Sequence, residues 1–278
     1  MMGSMAAFTL NDTMTKTTGG EVPLFQLLFL RGLISISLIL VLWGRLGPMH
    51  LRLSRRDWKL VGIRSASEVG ASFFFVTALF NMPLANLSAI LQSLPLTVTL
   101  GAALFYREAV GWKRMSAILV GFIGVMLIVK PGTAGFNIWS VYALVAVFFV
   151  TIRDLSTRRL SGDVPSMTVT LAAVLSVTIF SGLAQLATPW APVSGAHWTA
   201  IAAAAVFVLL GYYFSVQTMR IGEVSFIAPF RYTGLIWALI LGWFVFGDWP
   251  LLSTLAGAGI VAATGLFTLY RERKLSRR

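Results

Sequence analysis

Seven ionisable side chains lie within stretches of the sequence that are otherwise apolar. They are Asp12, Arg31, Arg64, Glu68, Arg153, Asp154 and Arg231. On insertion scales an ionisable group at the centre of a membrane helix costs about 2.5–3.5 kcal/mol. Each of these side chains therefore needs a partner or a functional role, and together they are candidates for a polar site inside a membrane protein.

The spacing of four of these residues predicts how they pair. Arg64 and Glu68 are four residues apart, so they can pair on one helix face; burial as an ion pair and a place on a cavity wall are both open. Arg153 and Asp154 are adjacent, so their side chains leave a helix about 100° apart. We expect that they form no simple facing pair, and that one faces a cavity while the other finds a partner on a neighbouring helix.

Uncharged polar residues form a second group of candidates. Ser88, Gln92, Pro95 and Thr99 recur every three or four residues in an apolar stretch, which predicts one polar stripe along a helix. In lipid such a stripe faces protein or water, so it either lines a cavity or holds helices together. The further uncharged candidates are Asn86, Tyr213, Gln217, Tyr232 and Trp237.

Motifs for catalysis or for metal binding are missing from the sequence. The two histidines, His50 and His197, are far apart in the chain, and there is no cysteine. We find no HExxH, no GxSxG and no P-loop. The sequence therefore predicts no catalytic residue, no metal site, no cofactor and no enzyme.

The composition places these residues in a membrane. The 278 residues are 57% apolar and only 12% charged, whereas about a quarter of a soluble domain is charged, and the mean hydropathy is +0.82. A spanning helix needs about 20 mostly apolar residues. Nine stretches meet this need, at 23–43, 58–80, 84–106, 112–129, 137–158, 166–187, 198–218, 224–246 and 252–270. Residues 4–17 are a tenth and shorter candidate, either a buried helix or a frayed terminus.

The basic residues indicate how the spans are oriented. With ten spans and the amino terminus inside, sixteen of the 22 Lys and Arg residues lie in inside loops and the inside tail, and only Lys16 and Lys130 lie in outside loops. This bias is the positive-inside pattern. It predicts a bacterial inner membrane protein with both termini cytoplasmic, and it explains the net charge of +12 without nucleic acid.

An internal repeat divides the chain. A shift of 140 residues places 78–108 on 218–248, and in each segment a tight turn precedes an apolar helix and an acid, Glu108 or Asp248, that suits a helix start. Helices rich in small residues follow, with Gly121 and Gly124 in one half and Gly257, Gly259 and Gly265 in the other. At a shift of 142, Asn11, Asp12 and Lys16 match Arg153, Asp154 and Arg158.

Five spans per repeat is an odd number, so the two repeats must be inserted in opposite orientations. The predicted fold is all-α: ten transmembrane helices as two inverted five-helix repeats, 1–130 and 137–271, around a central cavity, followed by a basic cytoplasmic tail at 272–278. Inverted repeats of this kind place a substrate site near the bilayer midplane and allow alternating access.

Two five-helix repeats that each close with a hairpin such as TLGAALFYREAVGW resemble the drug/metabolite transporter superfamily, and within it the EamA-type ten-helix exporters. The segments APFRYTGLIWALILGWFVFGDWP and RSASEVGASFFFVTAL resemble the YddG-type aromatic amino-acid exporters. The resemblance implies a monomeric exporter of aromatic or hydrophobic amino acids that contacts only its small-molecule substrate and membrane lipids. Export of organic cations or nucleosides, and a non-transporting scaffold or receptor, are the alternatives.

The same resemblance implies that the first, third, fourth, sixth, eighth and ninth spans line the cavity. Arg31, on the peripheral second span, is expected to be structural, whereas Arg231 either snorkels to the interface or binds a substrate carboxylate. Pro95 and Pro229 are hinge candidates. The predicted cavity residues are Asn11, Asp12, Glu68, Ser88, Gln92, Thr99, Arg153, Asp154, Tyr213, Gln217, Arg231, Tyr232 and Trp237.

Overall fold

The computed structural model describes residues 1–42, 44, 50, 52–107, 111–131, 137–221 and 228–276. Every regular element in these ranges is a helix. The helices are α1 (Met2–Lys16), α2 (Leu24–Val41), α3 (Arg55–Asn81), α4 (Leu84–Leu91), α5 (Leu94–Tyr106), α6 (Trp112–Val129), α7 (Ile138–Arg158), α8 (Ser166–Gln185), α9 (Gly195–Ile221), a short 3-10 helix (Ala228–Tyr232), α10 (Thr233–Phe246) and α11 (Leu252–Ser276).

The described helices make the chain a multi-pass membrane protein. Eight stretches are long and apolar enough to cross a bilayer, counting α4 and α5 together as Leu84–Tyr106, and Phe230–Phe246 is a shorter apolar helix. The amino-terminal stretch, for which a frayed end was the alternative, is helical as α1. Its small and polar face explains this, because Ser4 donates a hydrogen bond to the Gly211 carbonyl of α9 (2.7 Å). The helix is therefore held by its neighbour rather than by its own propensity.

The span predicted at 84–106 is not one continuous helix. Pro95 has no N–H, so the Leu91 carbonyl lacks its usual helical partner. The chain tightens there, with Ser93 N–H bonded to the Ile90 carbonyl (3.0 Å), and α5 starts at Leu94. The span predicted at 224–246 differs too: a 3-10 helix that contains Pro229 precedes α10, and residues 222–227 lie outside the described part of the chain.

Helix packing follows the small residues that the repeat predicted. The pairs with the most extensive contact are α3 with α7, α6 with α11, α1 with α9, and α2 with α8. Between α6 and α11 the backbones nearly touch: a Cβ on Gly124 would lie 2.8 Å from the Gly257 carbonyl, and one on Gly257 would lie 2.5 Å from the Gly124 carbonyl. Glycine at these two positions allows the close crossing that membrane helices use when no hydrophobic force drives association.

Hydrogen bonds between elements define two ends of the bundle. At the amino-terminal end, the Met1 amine donates to Thr218 Oγ1 near the end of α9 (3.1 Å). Asp57, at the start of α3, accepts hydrogen bonds from Ser161, which follows α7. At the opposite end, Gln26 of α2 donates to the Ala191 carbonyl between α8 and α9 (2.8 Å). Each long helix therefore runs from one end to the other.

Candidate functional site

A cavity of about 360 Å³ lies inside the bundle. Its wall is built by α1, α2, α3, α4, α5, α7, α9 and α10, together with the 3-10 helix. This volume is at the lower end of the range, about 300–1,000 Å³, that is usual for small-molecule sites. Apolar and aromatic side chains such as Met5, Phe8 and Phe75 share the wall with charged ones. The cavity therefore suits a small organic molecule that has both a polar and an apolar part.

The cavity lies at the middle of the bundle and stops short of the opposite end. The wall residues of α3 run from Glu68, halfway along the helix, to Val76 and do not include its last turn, and α10 contributes only Gly234 near its start. Arg231, just before α10, also lines the wall and is exposed. Beyond the wall, toward the opposite end, the bundle is closed by fully buried side chains, namely Leu79, Leu84 and Leu87.

Most of the predicted charged residues meet at this wall. The cavity is lined by Asn11, Asp12, Glu68, Ser88, Gln92, Arg153 and Arg231 from the predicted set, and by the hinge candidate Pro95. The helices that carry these residues are spread over most of the sequence. Only the packing of α1, α3, α4, α7 and the start of α10 brings these side chains around one space.

Five predicted residues lie away from the wall. Thr99 donates to the Pro95 carbonyl (2.8 Å) and lies one turn beyond Pro95, the last wall residue of α5. Tyr213 is 37% exposed on the outer surface beside Phe214. The remaining three are Asp154, Tyr232 and Trp237, none of which lines the cavity.

Each of these three has a different environment. Asp154 lies behind Arg153 and is paired with it. Tyr232 is 9% exposed and packs so closely on α11 that a Cβ on Gly265 would overlap its hydroxyl. The Trp237 ring nitrogen is buried, as is the Asn86 side-chain oxygen. Gln217 belongs to α9, but its side chain lies outside the described part of the chain.

The wall includes residues that the sequence analysis assigned elsewhere or missed. Arg31 was expected to be structural, but it lines the cavity, and its Nη1 lies 3.5 Å from Asn11 Oδ1. The second span is not peripheral here, because α2 packs against α9 as well as α8 and presents Arg31 to the cavity. Tyr212 also lines the wall, edge-on to Phe8 at 5.2 Å between ring centres. The signal for Arg31 was present in the sequence, since it is a charge in an apolar span.

An ion-pair group on α3 and α7 lies at the base of the wall. Glu68 Oε1 lies 3.4 Å from Arg153 Nη1, and Glu68 Oε2 lies 3.9 Å from Arg64 Nη1. Arg153 also contacts Asp154 Oδ1, at 2.9 Å from Nη2 and from Nε. The prediction that Arg153 and Asp154 do not pair was wrong, because the long arginine stem bends back to its neighbour whatever the direction of its Cβ.

Asp12 has a different environment from the other two intramembrane acids. Its Oδ1 accepts a hydrogen bond from the amide of Asn11 (2.9 Å), which is neutral. No arginine lies within ion-pair distance of Asp12 in the described part of the chain. Arg231 likewise has no acidic partner among the described side chains. The wall thus presents one carboxylate and one guanidinium that form no direct ion pair, although Arg31 attracts Asp12 from the same wall.

A second, smaller pocket adjoins the cavity. It has a volume of about 60 Å³ and shares Arg31, Glu68 and Tyr212 with the larger one. Arg64 borders it and donates to Thr157 Oγ1 (3.1 Å). Within the described residues, no group of three or more His, Asp or Glu side chains converges as a metal site would require. The chemistry that the site offers is therefore charge recognition and apolar contact.

One of the two acids predicted to begin helices can be compared with the structure. Asp248 does not cap α11, which starts four residues later at Leu252; its N–H instead bonds to the Gly242 carbonyl (3.1 Å) in the turn that ends α10. The Trp249-Pro250 pair separates the acid from the helix that it was expected to begin. Glu108 lies outside the described residues.

Comparison with known proteins adds independent information. The EamA-like transporter family matches the chain twice, at residues 1–130 and 137–270. A riboflavin transporter of Vibrio cholerae is 30% identical over 88% of this chain and 82% of its own length. An S-adenosylmethionine uptake transporter of Rickettsia felis is 27% identical over 98% and 91%, and the pseudopaline exporter CntI of Pseudomonas aeruginosa is 26% identical over 99% and 96%.

A solved crystal structure shares the fold, with a TM-score of 0.68 and 22% identity, over 98% of this chain and 97% of that one. None of the three named transporters is described as an aromatic amino-acid exporter, so the narrower resemblance to YddG-type proteins stays a prediction. The relatives are all transporters of small molecules. This chain, which encloses a polar cavity between its helices and matches the family in both halves, belongs to the EamA-like transporter family of the drug/metabolite transporter superfamily.

Proposed function

We propose that the protein is a secondary transporter that exports small organic metabolites across the bacterial inner membrane by alternating access. Aromatic and hydrophobic amino acids are the first candidate substrates. The observation that carries the proposal is the 360 Å³ cavity, whose wall combines free charges of both signs with aromatic and apolar side chains. A scaffold would have no need of such a space, and a receptor would bind a ligand there without moving it across the membrane.

The chemistry of the wall suits an amino acid. Arg231 and Arg31 offer guanidinium groups to a carboxylate, and Asp12 offers a carboxylate to an ammonium. Phe8 and Phe75 border the same space and can contact an apolar or aromatic side chain. One zwitterionic ligand would thus satisfy the unpaired charges of both signs and fill the apolar part of the cavity.

The packing supports two inverted repeats. The main contacts map onto one another when matching elements of the two halves are exchanged: α1 with α7, α2 with α8, α3 with α9, α4–α5 with the 3-10 helix and α10, and α6 with α11. The contact α1–α9 then becomes α7–α3, and α1–α10 becomes α7–α5. The pairs α2–α8 and α6–α11 map onto themselves. In addition, α1 begins at the amino-terminal end, whereas α7 ends there. This is the arrangement expected of ten crossings related by a two-fold axis in the membrane plane.

The position of the cavity suggests which state the structure represents. The positive-inside bias favours a cytoplasmic amino-terminal end. A cavity that the exposed Arg231 borders at that end and that is closed at the other is then open to the cytoplasm, as expected of an exporter before it binds its substrate. We propose that export proceeds by closure at the amino-terminal end and opening at the opposite end.

The break at Pro95 is the proposed hinge in the first half, and Pro229 is its counterpart in the second. Pro95→Ala would restore an N–H that can bond to the Leu91 carbonyl and so favour one continuous helix. We expect a severalfold slower exchange of substrate with unchanged binding. Undiminished exchange in this variant would count against a hinge.

Counterflow into proteoliposomes tests the proposal. Vesicles loaded with unlabelled phenylalanine should accumulate labelled phenylalanine at a saturable rate, whereas phenylpropionate and phenethylamine, which lack the ammonium and the carboxylate respectively, should exchange poorly. Loading from either side tests direction, which the relatives leave open because they include both an uptake transporter and an exporter. If no compound in a broad panel exchanges saturably, a scaffold or receptor becomes the better account.

Riboflavin is the second candidate substrate, favoured by the Vibrio cholerae relative. It is uncharged at neutral pH, so its exchange would depend on hydrogen bonds and stacking rather than on the arginines. Arg231→Gln should therefore reduce phenylalanine exchange strongly and leave riboflavin exchange nearly unchanged. A loss of riboflavin exchange with little change in phenylalanine exchange would instead favour a neutral ligand at Arg231.

A further inference from the structure

Lys16 makes contacts that the cavity does not explain. Its ammonium group donates to the Leu79 carbonyl (3.1 Å) and to the Met82 carbonyl (2.5 Å) at the end of α3. It also lies over the Phe246 ring at the end of α10, at 5.3 Å from the ring centre, and the Asp248 carboxylate attracts it. A single lysine at the last turn of α1 thus joins three helix ends.

These contacts are specific because helix carboxyl ends offer unused carbonyl groups. The last carbonyls of a helix lack partners within the helix and carry its partial negative charge, so a cation is well placed there. An ammonium group has three donors, of which two are used by the α3 carbonyls. The aromatic face of Phe246 supplies a further favourable contact. The lysine is half-buried, which strengthens each of these interactions relative to those at an open surface.

The position of Lys16 relates these contacts to access. It lies four residues after Asp12, so it is one turn further along α1 than the acid on the cavity wall. It is at the level of Leu79, which is fully buried in the closed part of the bundle. Furthermore, it connects α1 and α3, which belong to the first half of the chain, with the end of α10, which belongs to the second. Any opening of the opposite end that separates α1 or α10 from α3 must break these contacts.

We infer that Lys16 is the latch that holds the opposite end of the cavity closed. The inference rests on the proposed function, because it assigns one of the two gates of alternating access to a particular side chain. Removal of the ammonium leaves the helices and their apolar packing in place but takes away the bonds that exist only in the closed arrangement. The population should then shift toward the state that is open at the opposite end.

The absence of cysteine from the chain allows a direct test. Ser88 lines the cavity, so Ser88→Cys gives a single thiol whose reaction with a membrane-impermeant maleimide measures access. In spheroplasts the reagent reaches only the outer face. Glu21→Cys, on the exposed turn after α1, should react there in every background and thereby checks that the opposite end is the outer one. Glu21 is 76% exposed in its side chain.

Lys16→Met should raise the rate of outer labelling at Ser88→Cys by at least about fivefold. Lys16→Arg, which keeps donors for the two carbonyls, should stay within about twofold of the parent. Lys113→Met removes the same charge from an exposed lysine that lies over the Trp112 ring, and should change nothing. Phe246→Ala, which loses the ring but keeps the carbonyl bonds, should give a smaller rise in the same direction.

Unchanged outer labelling in a folded Lys16→Met protein would overturn the latch, as would an equal rise in Lys113→Met. Size-exclusion chromatography of each variant shows whether it is folded; should Lys16→Met fail to fold, Phe246→Ala carries the test. Labelling needs no substrate, so the two hypotheses can fail separately. A shift in labelling with no transported compound would defeat only the proposed function, and transport with no shift would defeat only the latch.

Discussion

The helices α1 and α7 occupy equivalent positions in the two halves but carry different chemistry. A shift of 142 residues places Asn11 and Asp12 on Arg153 and Asp154. Their packing is equivalent, since α1 lies against α9 and α10, and α7 lies against α3 and α5. However, Asp12 accepts a hydrogen bond from a neutral amide, whereas Asp154 is paired with an arginine that also binds Glu68.

This difference teaches that a symmetric scaffold can hold an asymmetric site. Backbone packing depends on small residues and apolar faces, which both halves share. The charge on the wall depends on single side chains, which the halves do not share. In α7 the charges compensate one another and link two helices, whereas under the proposed function the α1 carboxylate is available to a ligand. We therefore expect substitutions in α7 to affect mainly folding and those in α1 to affect mainly transport.

The largest effect is expected from Arg153→Met. It leaves Asp154 without its arginine and Glu68 with Arg64 and Arg31, and the loss of one partner from a buried ion pair costs about 3 kcal/mol. The melting temperature in detergent should fall by roughly 5–10 °C. The double variant Arg153→Met/Asp154→Asn restores the charge balance, because Arg64 and Glu68 remain, and should recover more than half of the loss. No recovery would mean that the arginine acts through packing rather than through charge.

A smaller effect is expected from Asp154→Asn. Arg153 keeps Glu68 as a partner, and Asp154 is 27% exposed in its side chain, so the pair is partly solvated. The expected cost is about 1 kcal/mol, which corresponds to a fall in melting temperature of roughly 2–4 °C. A loss as large as that of Arg153→Met would show that Asp154, and not Glu68, is the main partner of the arginine.

The comparison extends to the ends of the two helices, where Lys16 corresponds to Arg158. If the halves alternate, Arg158 should stabilise the state that is closed at the amino-terminal end. Arg158→Met should then lower outer labelling of Ser88→Cys by about threefold, opposite in sign to Lys16→Met. We expect a smaller change than at Lys16 because Arg158 is exposed and Lys16 is half-buried. A change of the same sign in both variants would break the proposed symmetry.

The smallest effect on stability is expected from Asp12→Asn. The substitution keeps the shape of the side chain, and its present partner is a neutral amide, so the free energy of unfolding should change by less than about 0.5 kcal/mol. Exchange of a substrate with an ammonium group should nevertheless fall by about tenfold, since the carboxylate that would bind it is gone. A destabilisation like that of Arg153→Met would place Asp12 in a structural role.

The variant Asp12→Asn also tests whether export is coupled to proton movement. Asp12, Glu68 and Asp154 are the three intramembrane acids that the sequence offers for proton-coupled export. Glu68 and Asp154 are held by arginine, so Asp12 is the acid best placed to exchange a proton as access alternates. If Asp12→Asn still exports against a gradient in response to an applied proton gradient, coupling does not pass through this residue. If variants that neutralise each of the three acids keep full exchange, passive transport is the better account.

The sequence by itself determined the membrane environment, the helical spans and most of the charged residues of the wall. These follow from local quantities: the length of apolar runs, the position of basic residues and the cost of a charge in lipid. Asn11, Asp12, Glu68, Gln92, Arg153 and Arg231 were found in this way, and the structure places all of them on one cavity.

Only the tertiary structure decided which way each side chain turns and which elements meet. The wall of α5 ends at Pro95, one turn before Thr99, the bend of the Arg153 stem created a pair that helix geometry disfavours, and the packing of α2 against α9 as well as α8 brought Arg31 to the wall. The contacts of Lys16 join residues more than 60 positions apart. Such outcomes depend on distances between helices and on rotamers, which a linear pattern of residue types does not contain.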